Sequence, residues 1–364
     1  MYDLHVIGAG PAGSIAAIAA ARAGRKVLMS EEHTCAGLPQ HCSGLFSKDG
    51  LISLRDFFDY RKLVKNGING AVIDFAGEKI EIKTRSQIAY VCDRAGLDAE
   101  LAANAESEGV QIEYDEKITG NYKAGSIIGA DGPFSHVANN FGFPRIAEYA
   151  STVQAYLKYR TETPDMVEVF LSNEKFPGFF GWIIPHDEEL AEFGAGVALP
   201  NNVGNAWRSL LKMKNTSYNG DIKGAVIPIA VRSQTAKKVG KRNVLLVGDA
   251  AGHTKATTGG GVMIGGNCAK YAGLHSEKPW RYELEWKLRY GLDFRLHRFV
   301  HDYLASKSDS EMRQIGKAVK NSEIDRFLSQ NGHMDRPTKM MRPQLLPHIL
   351  RFFMPMKPEA QQPI

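Results

Sequence analysis

The sequence predicts an α/β fold, α+β overall, in which a parallel-sheet domain carries an inserted antiparallel-sheet domain and a helical C-terminal segment. The first 31 residues read as a strand, a glycine-rich turn, a helix and a second strand, which is the start of a βαβ unit. Residues 149–239 contain several short β-like runs, and residues 276–364 are mostly helical in pattern. Because strands that alternate with helices build parallel sheets, we expect the N-terminal part to be Rossmann-like.

The first glycine-rich turn, "GAGPAG", follows the apolar strand and places Gly8, Gly10 and Gly13 in GxGxxG spacing. In this arrangement Gly8 permits the tight turn, Gly10 lets backbone approach a pyrophosphate, and Gly13 lets the helix pack against the strand. The N-terminus of the following helix then points its partial positive charge at the phosphates. We therefore predict a dinucleotide site at Gly8, Gly10, Ala12 and Gly13.

The second strand, "KVLMSE", ends at Glu31, 18 residues after Gly13. An acidic residue at this distance from the glycine turn accepts a hydrogen bond from a ribose hydroxyl. The alternative for Glu31 is a solvated strand end.

Two later segments pair glycine with aspartate directly after an apolar strand. They are an Asp-Gly pair at 131–132 and a Gly-Asp pair at 248–249, and the second is followed by three glycines at 259–261. Together with GxGxxG, this order of motifs resembles the FAD-dependent oxidoreductases of the p-hydroxybenzoate hydroxylase type. The resemblance implies bound FAD, with the ribityl chain at Asp249 and the flavin ring against the backbone near Val262. The residues that it assigns to FAD in these segments are Asp131, Asp249, Gly260, Gly261 and Val262.

The segment "YVCDRAGLDAELAANAESEGV" predicts a helix that Asp93 caps. Arg94 opens this helix, where the helix dipole disfavours a cation, and in the resembling proteins an arginine here lies near the cofactor. The alternative for Arg94 is a surface salt bridge. The next strand, "VQIEYDEKITG", resembles the one that covers the adenine, which suggests Ile118 as a contact. An ordinary core position is the alternative for Ile118.

The motifs and patterns divide the chain into three parts. The short β-like runs are "STVQAYLKYR", "MVEVFLS", "GFFGWIIP" and "EFGAGVAL", and "INGAVIDFAGEKIEIKT" alternates like a strand pair around a glycine turn. We predict a discontinuous FAD-binding domain at 1–65, 86–148 and 240–275, a substrate-binding β-sheet domain at 66–85 and 149–239, and a mostly helical C-terminal region at 276–364.

Three further stretches resemble the geranylgeranyl reductases, which reduce carbon–carbon double bonds of isoprenoid chains, including those of archaeal ether lipids. They are "HCSG" at 41–44, "GDAAGHTKATTGGGV", and "FGWIIP" from Phe180 to Pro185. The last resembles a Tyr-x-Trp-x-Phe-Pro motif that lines the lipid cavity, of which only Trp182 and Pro185 match strictly. The residues that the resemblance places at the flavin are Cys42, Ser43 and Leu45, and those that it places at the substrate are Phe180, Trp182 and Pro185.

The same six residues also resemble the Trp-x-Trp-x-Ile-Pro motif of flavin-dependent halogenases, which Trp182, Ile184 and Pro185 match. A hydroxylase or halogenase is therefore the first alternative, and a non-catalytic flavoprotein the second. The cysteine turn and the Thr-Thr-Gly-Gly-Gly segment favour the reductase. Strand alternation would place Phe180, Trp182 and Ile184 on one face, and Phe179, Gly181 and Ile183 on the other.

Reduction of an alkene requires a hydride, which reduced FAD provides from N5, and a proton. Cys42 is our candidate proton donor, because an unperturbed thiol with a pKa of about 8.5 is protonated at neutral pH; a small buried hydrophobe is its alternative. His41, which precedes Cys42, either tunes that thiol or, as we expect, lies at the surface. His253 and Lys255, which flank the Gly-Asp loop, either meet the flavin or a lipid phosphate or are solvated, and we expect them to be solvated. The external electron donor stays open among NAD(P)H, ferredoxin and other reductants.

Composition excludes several other classes of protein. The 364 residues carry a net charge of only +5, with no basic block that would indicate nucleic-acid binding. The four cysteines form no CxxC pair, so we expect no metal site, and their low number fits a reducing cytoplasm. The basic and apolar segment "RPQLLPHILRFFMPMKP" either contacts a membrane surface peripherally or packs on its own protein.

Overall fold

The computed structural model describes residues 1–38, 42–321 and 324–341. His41 and the basic, apolar segment at 342–358 lie outside these residues. Within the described ranges, no helix combines the length and the apolar character needed to cross a bilayer.

The strands, in chain order, are β1 Tyr2–Ile7, β2 Val27–Ser30, β3 Leu45–Ser47, β4 Val64–Ile68, β5 Gly70–Phe75, β6 Glu78–Lys83, β7 Ala89–Cys92, β8 Gln111–Glu113, β9 Ala124–Gly129, β10 Tyr149–Lys158, β11 Met166–Leu171, β12 Gly181–Pro185, β13 Leu190–Ala198, β14 Lys223–Pro228, β15 Ala236–Val239 and β16 Arg242–Leu246. The α-helices are α1 Pro11–Arg22, α2 Lys48–Ser53, α3 Arg94–Ser107, α4 His136–Asn140, α5 Val203–Met213, α6 Val262–Leu274, α7 Pro279–Ala305, α8 Asp309–Asn321 and α9 Ile324–Asn331.

A six-stranded sheet has the strand order β15-β16-β9-β1-β2-β8 and is parallel except for the edge strand β15. Helices α1, α3 and α6 pack together beside it around a shared apolar core. The alanines and glycines of α1 and α6 let these two helices approach closely, since a Cβ at Gly273 would overlap the carbonyl oxygen of Ala16. The predicted Rossmann-like parallel sheet is confirmed.

A seven-stranded sheet has the order β14-β10-β13-β12-β11-β5-β6. Its pairs are antiparallel except for β5 and β11, which run parallel. The four predicted β-like runs form β10, β11, β12 and β13, and the predicted strand pair forms β5 and β6. A small antiparallel sheet of order β3-β7-β4 lies apart from both and was not anticipated by the patterns.

Three helices and a short 3-10 turn at Pro337–Met340 form the described part of the C-terminal region. Helix α7 contacts α6 and β15, while α8 and α9 cover the β5–β6 hairpin through a separate apolar cluster. The chain then returns toward earlier segments, where Asp335 contacts Ser47 at the end of β3 and Lys255 in the loop after β16. The helical prediction therefore holds for the described residues, whereas the domain boundaries themselves stay a prediction.

Candidate active site

A cavity of about 1360 Å³ connects loops of the six-stranded sheet with one face of the seven-stranded sheet. Most of the predicted site residues line it, although they come from five separate segments of the chain. Those on the predicted cofactor side are Gly10, Ala12, Cys42, Ser43, Leu45, Arg94, Asp249, Gly260, Gly261 and Val262, and those on the predicted substrate side are Phe180 and Trp182.

The first glycine turn connects β1 to α1 as tightly as the spacing predicts. Gly8 has φ +102°, and a Cβ there would lie 2.5 Å from the carbonyl oxygen of Ala130. A Cβ at Gly13 would overlap the carbonyl oxygen of Gly8, whereas a Cβ at Gly10 would meet no atom within 4 Å. The turn is thus closed on its protein side and open on its cavity side, where the N-terminus of α1 can receive a phosphate.

Glu31 lies directly after β2 and is 8% exposed. Its carboxylate accepts hydrogen bonds from the backbone N–H of Ala9 at 2.8 Å and of His33 at 3.1 Å, and it contacts the His33 ring nitrogen Nδ1 at 2.6 Å. The carboxylate is therefore held beside the glycine turn and is not a solvated strand end. Its contact with a ribose stays a prediction.

Asp249 follows β16 and faces the cavity next to the glycine segment. A Cβ at Gly261 would lie 3.4 Å from Asp249 Oδ1 and 2.8 Å from Thr254 Cγ2, so the N-terminus of α6 reaches the cavity only because this position is a glycine. Burial raises the pKa of Asp249 to about 6, and the nearby Arg94 acts in the opposite direction. A buried carboxylate with these neighbours is suited to accept hydrogen bonds from hydroxyl groups.

Arg94 opens α3 behind Asp93, whose side chain caps the helix by accepting from the backbone N–H of Gly96 at 2.9 Å. Arg94 pairs with Asp98, and their side chains are only 12% and 6% exposed. Among the described residues, Arg94 Nε and Asp98 Oδ1 are buried without a hydrogen-bond partner. The surface salt bridge is thus wrong for Arg94, which offers a buried, unused donor at the cavity edge.

Cys42 is a thiol that lines the cavity and is partly buried. Burial raises the pKa of this thiol, and the positive charge of Arg94 partly offsets that effect. The thiol is therefore protonated at neutral pH, as a proton donor has to be. Its role as the donor stays a prediction.

The aromatic wall consists of Phe179, Phe180 and Trp182 at and before β12. The rings of Phe179 and Phe180 stack with centroids 4.4 Å apart, and those of Phe180 and Trp182 lie 5.6 Å apart. Phe180, Trp182 and Ile184 face the cavity, while Ile183 packs into the core on the opposite face, as alternation predicts. Phe179 also faces the cavity, contrary to that prediction, because it precedes the regular strand and its ring stacks on that of Phe180.

Trp182 is fixed from behind by Glu192 on the neighbouring strand β13. Its indole Nε1 donates to Glu192 Oε1 at 3.0 Å. Burial raises the pKa of Glu192 to about 7, against the lowering effect of hydrogen bonds from Trp182 and Tyr156. The sequence signal for this contact was a single acidic residue at the start of the otherwise small and apolar run "EFGAGVAL".

Six predicted site residues do not line the cavity. Gly8, Gly13 and Glu31 form or support the glycine turn beside it, and the other three are Ile118, Asp131 and Pro185. Pro185 is buried at the end of β12, and its carbonyl accepts from Asn66 Nδ2 at 2.9 Å, so its position serves the sheet edge. Ile118 is 5% exposed within an apolar cluster under β9, which is the core alternative. Asp131 Oδ2 accepts from the backbone N–H of Val137 at 3.0 Å and so holds the start of α4, although its neighbours in the chain do reach the cavity.

The expectation that His253 and Lys255 are solvated is wrong, because both side chains are buried. His253 is fully buried between the rings of Trp286 and Phe294. Lys255 is 5% exposed, lines the cavity, and forms an ion pair with Asp335. Since 80 residues separate the two partners, no local pattern in the sequence indicates this contact.

Comparisons with known proteins agree with the geometry. Residues 3–131 match the model of the family described as FAD dependent oxidoreductase. The chain is 25% identical to the digeranylgeranylglycerophospholipid reductase of Methanosarcina mazei, over 90% of each protein. A geranylgeranyl bacteriochlorophyll reductase-like protein from Thermoplasma acidophilum has the same fold, with a TM-score of 0.78 and 21% identity over 96% of this chain and 99% of that one.

The fold is shared more widely. A solved halogenase superposes with a TM-score of 0.64 and 16% identity, over 91% of this chain and 84% of the halogenase. The fold alone therefore does not separate the reductase from the halogenase. The FAD cofactor, the oxidoreductase class and the resemblance to geranylgeranyl reductases are confirmed.

Proposed function

We propose that this FAD-dependent oxidoreductase reduces carbon–carbon double bonds of isoprenoid chains, in membrane ether lipids of the archaeal type or in their precursors. Its relatives named digeranylgeranylglycerophospholipid reductase align over nearly the whole chain, including both larger sheets. This supports a lipid substrate for the second sheet as well as a flavin for the first.

The observation that carries the proposal is that one cavity contains both the glycine turns and the aromatic wall. Ligand pockets are usually about 300–1000 Å³, so a cavity of about 1360 Å³ exceeds what a single drug-sized ligand needs. Beyond the aromatic wall, the strand faces add aliphatic side chains, namely Ile68, Ile73, Val167, Val169, Ile184 and Ile227. An apolar chain fits this lining better than a small polar substrate does.

Different residues of the cavity bind the cofactor, bind the substrate and donate the proton. Bound reduced FAD supplies the hydride. The turn at Gly10 and the N-terminus of α1 bind its phosphates, and Arg94 Nε and Asp249 offer a donor and an acceptor to its polar groups. Phe180 and Trp182 hold the prenyl chain by apolar contact and exclude water. Cys42 Sγ–H gives the proton that completes the alkane.

The test uses protein loaded with FAD and reduced by dithionite under argon, so that it does not depend on the natural electron donor. Addition of a geranylgeranyl lipid should reoxidise the flavin and yield a product that has gained two hydrogen atoms per reduced bond. Rapid reoxidation by oxygen that a small aromatic stimulates would instead identify a hydroxylase, and a halide-dependent product would identify a halogenase. A flavoprotein without catalytic activity would show none of these.

A further inference from the structure

Lys255 and Asp335 form a buried ion pair in the cavity wall, on the side predicted for the flavin ring. Lys255 Nζ lies 2.5 Å from Asp335 Oδ1, and the two side chains are 6% and 11% exposed. The second oxygen of Asp335 accepts a hydrogen bond from Ser47 Oγ, which also caps α2 by accepting from the backbone N–H of Gly50 at 3.0 Å. Asp335 is therefore fixed from two directions.

The ammonium group lies over the backbone of Gly260. A Cβ at Gly260 would be 3.0 Å from Lys255 Cε and 3.2 Å from Lys255 Nζ, and its three nearest atoms include none of Asp335. The positive end of the pair is thus nearer than the negative end to the glycine segment that is predicted to contact the flavin ring.

The ammonium group also keeps hydrogen-bonding capacity for a ligand. A lysine ammonium carries three donors, and Asp335 is the one acceptor that the described residues provide for Lys255 Nζ. His297, which donates to or accepts from Thr257 Oγ1 at 2.7 Å nearby, adds no charge at neutral pH, because burial lowers its pKa to about 4. Lys255 is therefore the cation that the described residues place nearest to Gly260, and Asp335 is its counter-charge.

We propose that Lys255 sets the reduction potential of the bound FAD, and that Asp335 limits this effect by pairing with it. A flavin gains electron density on reduction, so a cation beside the ring favours the reduced form and an anion favours the oxidised form. A buried ion pair is seldom the most stable choice for a protein interior, which supports a functional reason for placing one here. The inference deepens the proposed function, because a reductase of isolated alkenes depends on the driving force of its flavin.

The experiment measures the midpoint potential of FAD bound to the full chain, by equilibration with redox dyes and without any lipid. Lys255→Met leaves Asp335 as an uncompensated anion and should lower the potential. Asp335→Asn leaves Lys255 uncompensated and should raise it. We expect each change to alter the ratio of affinities for reduced and oxidised FAD about tenfold, which is about 30 mV for a two-electron couple. Lys255→Arg keeps the charge and should stay near the wild-type potential.

The pair of Lys214 and Glu168 provides a matched control, since it is also a partly buried lysine–carboxylate pair, with Nζ–Oε2 at 2.8 Å, but it does not line the cavity. Lys214→Met should lower the melting temperature and leave the potential unchanged. The proposal is overturned if Lys255→Met and Asp335→Asn shift the potential in the same direction, or if neither shifts it. If Lys255→Met fails to bind FAD, Asp335→Asn tests the proposal alone. A raised midpoint potential in Asp335→Asn supports it, and a lowered or unchanged potential overturns it. Because no lipid is present, a failure here is distinct from a failure of alkene reduction.

Discussion

The two sides of the cavity are built by different means. On the side of the six-stranded sheet, backbone makes the site: Gly8, Gly13 and Gly261 stand where a side chain would collide with a neighbouring loop. On the side of the seven-stranded sheet, side chains make the site, and those of β12 follow the ordinary alternation of a strand. The first side therefore tolerates almost no change in shape, whereas the second can exchange side chains and keep its sheet. This difference lets one scaffold retain its flavin while its substrate wall diverges.

The largest effect is expected from Gly13→Ala, because its Cβ would overlap the carbonyl oxygen of Gly8. Overpacking of this kind costs about 1–3 kcal/mol of stability, and we expect FAD binding to be lost as well. Gly10→Ala is the matched control: its Cβ meets no protein atom within 4 Å, so the melting temperature should stay unchanged while the methyl group blocks the phosphate. Thermal unfolding and FAD titration check both variants. Normal FAD binding by Gly13→Ala would contradict the comparison of the two sides.

Cys42→Ser should slow alkene reduction about 100-fold, the lower range for loss of a general acid, and leave FAD bound. Cys92→Ala is the control, since Cys92 is 2% exposed in β7 and does not line the cavity. Single-turnover reoxidation of the reduced flavin by lipid is the measurement. Unchanged turnover in Cys42→Ser would remove Cys42 from the proposed chemistry.

Trp182→Ala should raise KM for the lipid about tenfold, as expected for loss of part of an apolar pocket, with little change in the affinity for FAD. Trp207→Ala is the control, because Trp207 is 6% exposed in the core on α5, outside the cavity lining. It should lower stability and leave KM unchanged. Equal loss of affinity for FAD and for lipid in Trp182→Ala would show that Trp182 supports the structure and does not bind the substrate specifically.

The smallest effect on turnover is expected from Glu192→Gln, whose amide oxygen can still accept from Trp182. Because the folded state raises the pKa of Glu192 from 4.5 to about 7, it binds more protons than the unfolded state between these values. Stability contributed by this group is therefore lost as pH rises through that window, by an amount on the order of 3 kcal/mol. Glu192→Gln should be less sensitive to pH between 4.5 and 7 in urea unfolding; an unchanged pH profile would contradict this.

The sequence predicts the parts of this molecule that local rules govern. The spacing of Gly8, Gly10 and Gly13 specifies a turn whose collisions the structure shows. The resemblance to a lipid-cavity motif selected Phe180 and Trp182, and alternation placed these two side chains on one face, as the structure has them. The position of Arg94 at the cavity was predictable, because the helix dipole disfavours a cation at a helix start and an arginine there suggests an anionic partner.

Contacts between distant segments were not predictable from the sequence. Ile118 and Pro185 were chosen by likeness to motifs, and the core and the sheet edge use them instead. No residue near Lys255 in the sequence indicates that Asp335 pairs with its charge. This ion pair depends on how the C-terminal region packs against the earlier part of the chain. A lysine in a glycine-rich loop is exposed in most proteins, so this general rule predicted an exposed Lys255, whereas the side chain is buried.

The return of the chain at 332–340 has a consequence for biosynthesis. Asp335 meets Ser47, which is 288 residues earlier in the chain, so this part of the cavity wall is incomplete until residue 335 has left the ribosome. The β1–α1–β2 segment is made early, and the pairing of β1 with β2 is local in sequence, whereas the turn also packs against Ala130. A nascent chain that ends before residue 335 would thus lack this part of the cavity wall.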